Sequence, residues 1–203
     1  MEPLEAYGLQ AMSIGLLIGE DTPMIWRGPM ATSALTQLLG ETLWGGEVGL
    51  DYLLVDLPPG TGDIQLTLAQ KIPVAGAVVV TTPQDIATLD ARKALKMFEK
   101  VQVPVLGLLE NMAVHVCSNC GHVEHLFGHG GGERMAVQYG VPLLGSLPLE
   151  LGIREQGDAG VPIVVAAPDS SAARAYREAA RRVAATLATR PRAPIGLGAA
   201  LLG

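Results

Sequence analysis

Two cysteines separated by two residues are the residues of this chain best suited to chemistry. Cys117 and Cys120 stand in the segment VCSNCGH at 116–122, and a two-residue spacer lets both sulfurs converge on one metal. Two thiolates fill only half of the four-ligand shell of a cubane cluster or a structural zinc ion. A twofold dimer would complete that shell, because each copy contributes two cysteines.

The neighbouring histidines leave other chemistries open. All four histidines of the chain lie near the cysteine pair, so a mononuclear zinc site within one chain is an alternative to a shared cluster: His115, His122, His125 and His129. A redox disulfide is a third alternative, although thioredoxin-like pairs open a helix after a strand and this pair lies in a Gly/His-rich segment. Close cysteines in a cytoplasmic protein favour metal or redox chemistry over a structural disulfide.

A second candidate site follows an apolar segment in the first third of the chain. Asp56 ends the run DYLLVD and precedes PPGTGD at 58–63, where Gly60 and Gly62 allow backbone N–H groups to approach a phosphate closely. A carboxylate is a hard oxygen ligand, suited to magnesium or to its bound waters. The same residue types are common in an ordinary strand-to-helix turn, so from these residues alone both interpretations stay open.

Alternating apolar runs and helical patterns must position these sites. Continuous apolar runs predict buried parallel strands over 12–19, 51–56, 75–82, 103–110 and 143–147. Helices are predicted over 29–44, 64–71, 85–100 and 133–139, and from the caps Asp169 and Ser170 to about 188. The alternation predicts an α/β fold, a mostly parallel sheet flanked by helices on both faces, with ligands at the carboxyl ends of the strands.

Composition narrows the class of protein. Hydrophobic residues make up 49% and charged residues 17%, as in a packed core, and the net charge of -6 argues against a general nucleic-acid binder. No apolar run reaches the roughly 18 residues that predict a membrane span, and the first ten residues show no signal pattern, so we expect a cytoplasmic protein. We expect one domain over 1–189 with a cysteine-bearing insertion at 113–132, and a flexible tail over 190–203.

Together these segments resemble the Mrp/ApbC-type iron–sulfur cluster carrier ATPases, relatives of MinD within the P-loop superfamily. The resemblance covers nearly all of residues 4–186, through MSIGLLIG (12–19), WRGPM (26–30), DYLLVDLPPGTGD (51–63), TTPQ (81–84), VPVLGLLENM (103–112), CSNC (117–120), FGHGGG (127–132) and LGSLPL (144–149). It implies a MinD-like P-loop NTPase fold. It also implies a homodimer that shares a labile [4Fe–4S] cluster and transfers it to apo-proteins, coupled to ATP and Mg2+.

The resemblance also implies roles for individual residues. Asp56 would be the Walker B carboxylate, acting on magnesium through water, and Gly60 and Gly62 would lie in switch II. Asn111 would hydrogen-bond the adenine edge, a task that suits an amide because it offers both a donor and an acceptor. Pro148 would flank the base. From its position alone, Asn111 is instead a turn residue that tolerates left-handed backbone.

The sequence departs from the family at the Walker A loop. The family pattern GKGGVGKS is absent, no G-x-x-x-x-G-K-[ST] occurs, and the glycine-rich GHGGGERM at 128–135 lacks the Lys-Ser/Thr pair and is interpreted as a turn leading into a helix. We therefore expect a chain with its N-terminal P-loop unit missing, through truncation, a mis-started reading frame or a split protein whose P-loop fragment is separate. Such a chain would not hydrolyse ATP by itself.

Two further functions remain as alternatives to a cluster carrier. One is a zinc-binding, non-catalytic interaction protein derived from a MinD-like ATPase. The other is a positioning ATPase like MinD or ParA, against which the CxxC segment and the lack of a basic amphipathic terminal anchor both weigh.

Overall fold

The computed structural model of the protein describes residues 1–17, 28–57, 65–68, 72–117 and 119–190. The chain divides into two compact units, the first from Met1 to Pro73 and the second from Val74 to Ala193. One domain over 1–189 therefore stays a prediction. The predicted tail lies outside the described residues from 191 onward.

The first unit begins with a small antiparallel hairpin and continues into helices. Its elements are β1 (Leu4–Ala6), β2 (Leu9–Ala11), a 3-10 helix (Ile14–Leu16) and α1 (Gly28–Gly40). Tyr7 and Gly8 connect the two strands with φ angles of 53° and 75°. Both residues are left-handed, as the tightest hairpin turns require. Of the helix predicted over 64–71, the described residues 65–68 are helical.

Hydrogen bonds fasten the hairpin of the first unit to the segment that follows α1. The side-chain oxygen of Gln10 accepts a bond from the N–H of Gly45 at 2.7 Å. The N–H of Leu43 donates to the carbonyl oxygen of Met1 at 2.8 Å. These partners hold the chain away from helical geometry, so α1 ends at Gly40, earlier than the sequence predicted.

The strand predicted over 12–19 is wrong in its described part. Ile14–Leu16 forms the 3-10 helix instead. The hydroxyl of Ser13 accepts a bond from the N–H of Gly15 at 3.3 Å and caps that helix. A serine that bonds its own neighbouring backbone competes with strand pairing in this way.

The strand predicted over 51–56 is also wrong. These residues have no regular structure, and the side chain of Leu54 is 86% exposed. An apolar run forms a strand only where a neighbouring strand satisfies its backbone N–H and C=O groups. Within the described part of the chain, none of the strands pairs with this segment.

The second unit contains the alternation of strands and helices that the sequence predicted. In chain order its elements are β3 (Ala77–Thr81), α2 (Asp85–Lys100), β4 (Val105–Glu110), β5 (His115–Val116), β6 (Val123–Glu124), α3 (Gly131–Tyr139), β7 (Leu143–Ser146), α4 (Leu151–Asp158), α5 (Ile163–Ala166) and α6 (Ser171–Ala188). β3, β4 and β7 form a parallel sheet in the order β3-β4-β7.

Helices flank this sheet on both faces, as the sequence predicted. The side chain of Glu110 in β4 meets α3, where it accepts a bond from the N–H of Gly132. The adjacent Leu109 lies on the opposite face, which α6 covers. A Cβ placed at Gly145 of β7 would contact both Leu109 and Ala179 of α6, so these two side chains lie on the same side of the sheet. Successive side chains of a strand point to opposite faces, so β4 is covered on both.

Aliphatic side chains fill the core of the second unit. The largest fully buried ones are Leu108 of β4, Met135 of α3 and Leu144 of β7. Ala172 and Ala173 of α6 are also completely buried. Small buried residues let a helix approach the sheet closely, which explains how a chain with few aromatic residues still packs its core.

Capping residues and charges that complement the helix dipole mark the ends of the helices in the second unit. α2 has Asp85 in its first turn and Lys100 in its last, which complements the helix dipole. The hydroxyl of Ser170 accepts a bond from the N–H of Ala173 at 3.1 Å and caps α6, as predicted. α3 ends at Tyr139 and is capped by Gly140, whose left-handed φ is 64°. None of the helices in the described ranges is long and apolar enough to cross a membrane.

Candidate functional site

The carboxyl ends of the three parallel strands lie side by side and form the base of the candidate site. Thr81 of β3 pairs with Glu110 of β4, which pairs with Ser146 of β7. The pairing continues past the strands, because Asn111 N–H donates to the Thr81 carbonyl at 2.7 Å and Leu147 N–H to the Glu110 carbonyl at 2.8 Å. Ligands of parallel sheets bind at such an edge.

The structure brings Asn111 and Pro148 to this edge. Ala113 N–H donates to the carbonyl of Leu147, directly before Pro148, at 3.0 Å, so the segments that follow β4 and β7 run together. The side-chain oxygen of Asn111 accepts a bond from the N–H of Met112 at 2.9 Å, and Met112 has a left-handed φ of 54°. Asn111 therefore stabilises a turn, and its amide nitrogen still offers donors to a ligand.

The cysteines stand in a short antiparallel hairpin beside that edge. β5 and β6 pair through His115 with Glu124 and Val116 with Val123. The N–H of Cys117 donates to the carbonyl of His122 at 2.9 Å. Together β5, β6 and the turn between them form what we call the cysteine hairpin, residues 115–124. The sequence predicted an irregular insertion here, because two-residue strands leave no hydrophobic pattern.

The turn of the cysteine hairpin places both thiols near the surface. Gly121 N–H donates to the carbonyl of Cys117 at 2.8 Å, and Gly121 adopts the left-handed φ of 71° that closes the turn. Cys117 is half-buried and Cys120 is exposed, and both are free thiols. The pair is therefore available to a metal or to a second protein.

Hydrogen bonds favour the thiolate of Cys117. The backbone N–H of Cys120 donates to its sulfur and is the largest cause that lowers the pKa of Cys117 below its ordinary value. The N–H of Asn119 and the side chain of Cys120 act in the same direction, while desolvation and the charge of Glu124 oppose them. Donors aimed at a sulfur stabilise its anion, which is the form that binds metals.

The four histidines around the pair have partners of their own. The ring nitrogen Nδ1 of His115 lies 3.0 Å from the carbonyl oxygen of Leu149, and Nδ1 of His125 lies 3.0 Å from that of Ala113. The rings of His125 and His129 stack with centroids 4.6 Å apart, and His122 lies 3.9 Å from the carboxylate of Glu124. Within the described residues, no group of three or more His, Cys, Asp or Glu side chains could hold a metal ion.

A buried carboxylate that the sequence did not single out joins this edge to α3. Glu110 is only 4% exposed, and its Oε1 accepts a bond from the N–H of Gly132 at 2.9 Å. The helix begins close to the loop after β3 because Gly131 has no side chain. A Cβ there would lie 2.4 Å from the carbonyl oxygen of Pro83. The glycine-rich GHGGGERM at 128–135 is thus a turn into a helix, as predicted.

The remaining predicted site residues belong to the first unit. Asp56 is exposed and lies in the irregular segment that follows Tyr52. Gly60 and Gly62 lie outside the described residues. Their predicted roles at magnesium and phosphate therefore stay predictions.

Comparison with known proteins places the chain among iron-transfer NTPases. A family model described as NUBPL iron-transfer P-loop NTPase, of the ParA group, matches residues 1–184. The chain belongs to this family. The match confirms the resemblance to iron–sulfur cluster carriers that the sequence indicated.

A bacterial relative supports membership in the NUBPL family. The chain is 62% identical over 178 residues to an iron–sulfur cluster carrier protein of Pseudomonas fragi, an alignment that covers 88% of this chain and 61% of the relative. The chain spans about half to three fifths of the length of the curated carriers it matches.

Solved structures confirm the fold that the family implies. A nucleotide-binding protein of Archaeoglobus fulgidus in complex with ADP is 36% identical, with a TM-score of 0.64 over 78% of this chain and 60% of that one. The cell division ATPase MinD of Pyrococcus furiosus is 23% identical, with a TM-score of 0.57 over 76% of this chain and 58% of that one. The fold is therefore MinD-like, as predicted.

Proposed function

We propose that this chain binds a [4Fe–4S] cluster through Cys117 and Cys120 and passes it to apo-proteins. The main observation behind the proposal is the cysteine hairpin, which presents two free thiols and directs backbone N–H groups at the sulfur of Cys117. Such donors stabilise the thiolate that ligates iron. The 62% identical relative from P. fragi is an iron–sulfur cluster carrier protein, which supports the same function.

The ligand count calls for a second copy of the chain. A cubane cluster takes four thiolates in all, and each chain has two cysteines. A homodimer with its hairpins facing each other across a twofold axis supplies the other two thiolates in the same geometry. Because Cys120 is exposed, the hairpin of a second copy can reach it without local unfolding.

Exposed ligands suit a cluster that is cargo rather than a resident cofactor. In transfer, iron–thiolate bonds to the acceptor form as those to Cys117 and Cys120 break, and the cluster keeps its oxidation state. An acceptor thiol needs access to the iron at that moment, and a surface hairpin provides it. The acceptors in this proposal are cytoplasmic apo-proteins.

Nucleotide binding at the carboxyl edge is the second part of the proposal. Asn111 and Pro148 would contact the base there, while Asp56, Gly60 and Gly62 would serve magnesium and the terminal phosphate. The archaeal relative of known structure is in complex with ADP, which supports this part. The nucleotide state would set the geometry of the dimer, and that geometry would set how tightly four cysteines hold the cluster.

ATP hydrolysis in this proposal needs a Walker A loop, and the sequence of 203 residues contains none. We therefore expect no ATP hydrolysis by the chain alone. If a separate fragment supplies the P-loop, that fragment is a partner of the chain and should restore the activity on mixing.

Anaerobic reconstitution with iron and sulfide tests the cluster. We expect one [4Fe–4S] cluster per two chains, identified by Mössbauer spectroscopy together with iron and sulfide analysis. Cys117→Ser and Cys120→Ser should each abolish uptake, whereas His122→Asn, which changes an exposed side chain of the same hairpin, should not. A colourless monomer that binds zinc, and loses it in His122→Asn, would instead identify a zinc-binding interaction protein.

A further inference from the structure

Two histidines fasten the cysteine hairpin to the carboxyl edge of the sheet. We propose that His115 and His125 are positioning residues that determine how long the hairpin retains its cluster, without ligating iron themselves. This inference rests on the proposed function, because retention of a cluster is one of its readouts. The contacts that support it lie entirely within the second unit.

His115 anchors the entry to the hairpin. It forms a parallel β-bridge with Leu149, and its ring Nδ1 lies 3.0 Å from the carbonyl oxygen of the same residue. The N–H of Leu149 donates in turn to the carbonyl of Val114 at 2.8 Å. Leu149 is thus held through its C=O by His115, the first residue of the cysteine hairpin, and through its N–H by Val114, the residue before it.

His125 anchors the exit from the hairpin. Its Nδ1 lies 3.0 Å from the carbonyl oxygen of Ala113, while the N–H of Ala113 donates to the carbonyl of Leu147 at 3.0 Å. The ring of His125 also stacks on that of His129, which precedes α3. Ala113 is therefore bonded on one side to the chain after β7 and on the other to the residue that follows β6.

These contacts fix the chemistry of both rings. A carbonyl oxygen only accepts hydrogen bonds, so Nδ1 carries the proton in each histidine and donates it. The hairpin between the two anchors consists of two-residue strands, which have little stability of their own. The anchors consequently supply much of the order that holds Cys117 and Cys120 in one geometry.

Ordered ligands bind a metal cluster more tightly than mobile ones, because less conformational entropy is lost on binding. Removing either anchor should free one end of the hairpin and speed cluster loss. Groups hydrogen-bonded directly to a metal ligand typically contribute about 10- to 100-fold to metal affinity, and the two anchors act one step further out, through the backbone of Leu149 and Ala113, so the lower end of that range applies to them. We therefore expect about a tenfold faster loss of the cluster when one Nδ1–H donor is removed.

Asparagine and leucine replacements separate positioning from ligation. The side-chain N–H of asparagine occupies nearly the place of histidine Nδ1–H, so His115→Asn and His125→Asn keep the donor but cannot ligate iron through an imidazole. His115→Leu and His125→Leu remove the donor while keeping side-chain bulk. His122→Leu is the matched control, because that exposed ring lies in the same hairpin and, among the described residues, its ion-pair partner is the carboxylate of Glu124, at 3.9 Å.

The decisive measurement is the rate at which reconstituted protein loses its cluster to an iron chelator. The leucine variants at His115 and His125 should lose it about tenfold faster, while the asparagine variants and His122→Leu should match the wild type. A second readout needs no cluster. Amide hydrogen exchange of Ala113, Leu149 and the hairpin should accelerate in the leucine variants alone.

Each outcome has one interpretation. If the leucine variants match the wild type in either readout, the anchors do not control cluster retention by positioning the hairpin, and the inference is overturned. If asparagine and leucine variants lose the cluster equally fast with unchanged amide exchange, the histidines act as ligands, which also overturns it. If wild-type protein takes up no cluster, the proposed function fails, and amide exchange alone decides whether the anchors exist.

Discussion

The carboxylate of Glu110 accepts a hydrogen bond from the backbone N–H of Gly132 at 2.9 Å and so joins the end of β4 to the first turn of α3. The carboxylate lies at a helix N-terminus, where unpaired N–H groups and the helix dipole favour a negative charge. Asn111, the next residue, begins the segment that leads to the cysteine hairpin. This one bond therefore helps to hold the strand end from which the hairpin projects.

Replacing Glu110 tests that joint. Glu110→Ala leaves the buried N–H of Gly132 without its partner, so the free energy of unfolding should fall by about 1–3 kcal/mol. Glu110→Gln keeps an acceptor oxygen and should lose clearly less. Urea denaturation followed by circular dichroism measures both, and equal losses in the two variants would show that the hydrogen bond contributes nothing.

The close approach of α3 to the loop after β3 gives a second prediction. In Gly131→Ala the new Cβ would lie 2.4 Å from the carbonyl oxygen of Pro83, so the backbone must shift and stability should fall by about 1–3 kcal/mol. Gly157→Ala is the matched control, because Gly157 lies in the last turn of α4 and a Cβ there would meet nothing within 4 Å.

The control variant should lose no stability and should gain at most about 0.5 kcal/mol, since alanine favours helix over glycine but Gly157 lies in a terminal turn. Both variants are compared by thermal and urea unfolding. A stable Gly131→Ala protein with an unchanged midpoint would contradict the packing described at Pro83.

The thiolate of Cys117 gives a prediction about pH. Its pKa lies below the ordinary value because N–H groups of Cys120 and Asn119 donate to the sulfur, so the reactive anion persists to lower pH than in a free cysteine. In Cys120→Ala, which keeps the backbone donors and leaves one thiol, the alkylation rate should reach half its maximum at a lower pH than in the same chain unfolded in urea. Coinciding midpoints would refute the hydrogen-bonded geometry of the turn.

Much of the second unit could be predicted because its elements interact with near neighbours. The apolar runs at 75–82 and 103–110 correspond to β3 and β4, and the helix predicted over 85–100 matches α2 at both ends. Runs of β-branched and aliphatic residues flanked by helix caps are local signals, so these strands and helices can be predicted without knowledge of distant contacts.

The first unit shows where such signals fail. The run DYLLVD has the composition of a buried strand, but it is irregular, since burial depends on a pairing partner that composition does not reveal. In the second unit, the helices α4 and α5 were not predicted. They have eight and four residues, too few to establish a helical period.

At the candidate site, the cysteine pair is visible in the sequence, but the contacts that support it are not. The spacing of Cys117 and Cys120 is visible in the sequence, as is the concentration of histidines around them. The hydrogen bond from His115 to Leu149 joins residues 34 positions apart, and no local sequence pattern predicts it. Sequence-based reasoning therefore treated these histidines as possible zinc ligands, whereas the structure gives two of them backbone partners.

Native mass spectrometry of the reconstituted chain, kept anaerobic, tests the sharing of one cluster most directly, because it counts chains and metal atoms in the same particle. We expect a species of two chains and one [4Fe–4S] unit that separates into bare monomers when the cluster is removed with a chelator. Monomers that each carry their own metal, whether zinc or a complete cluster, would contradict the account.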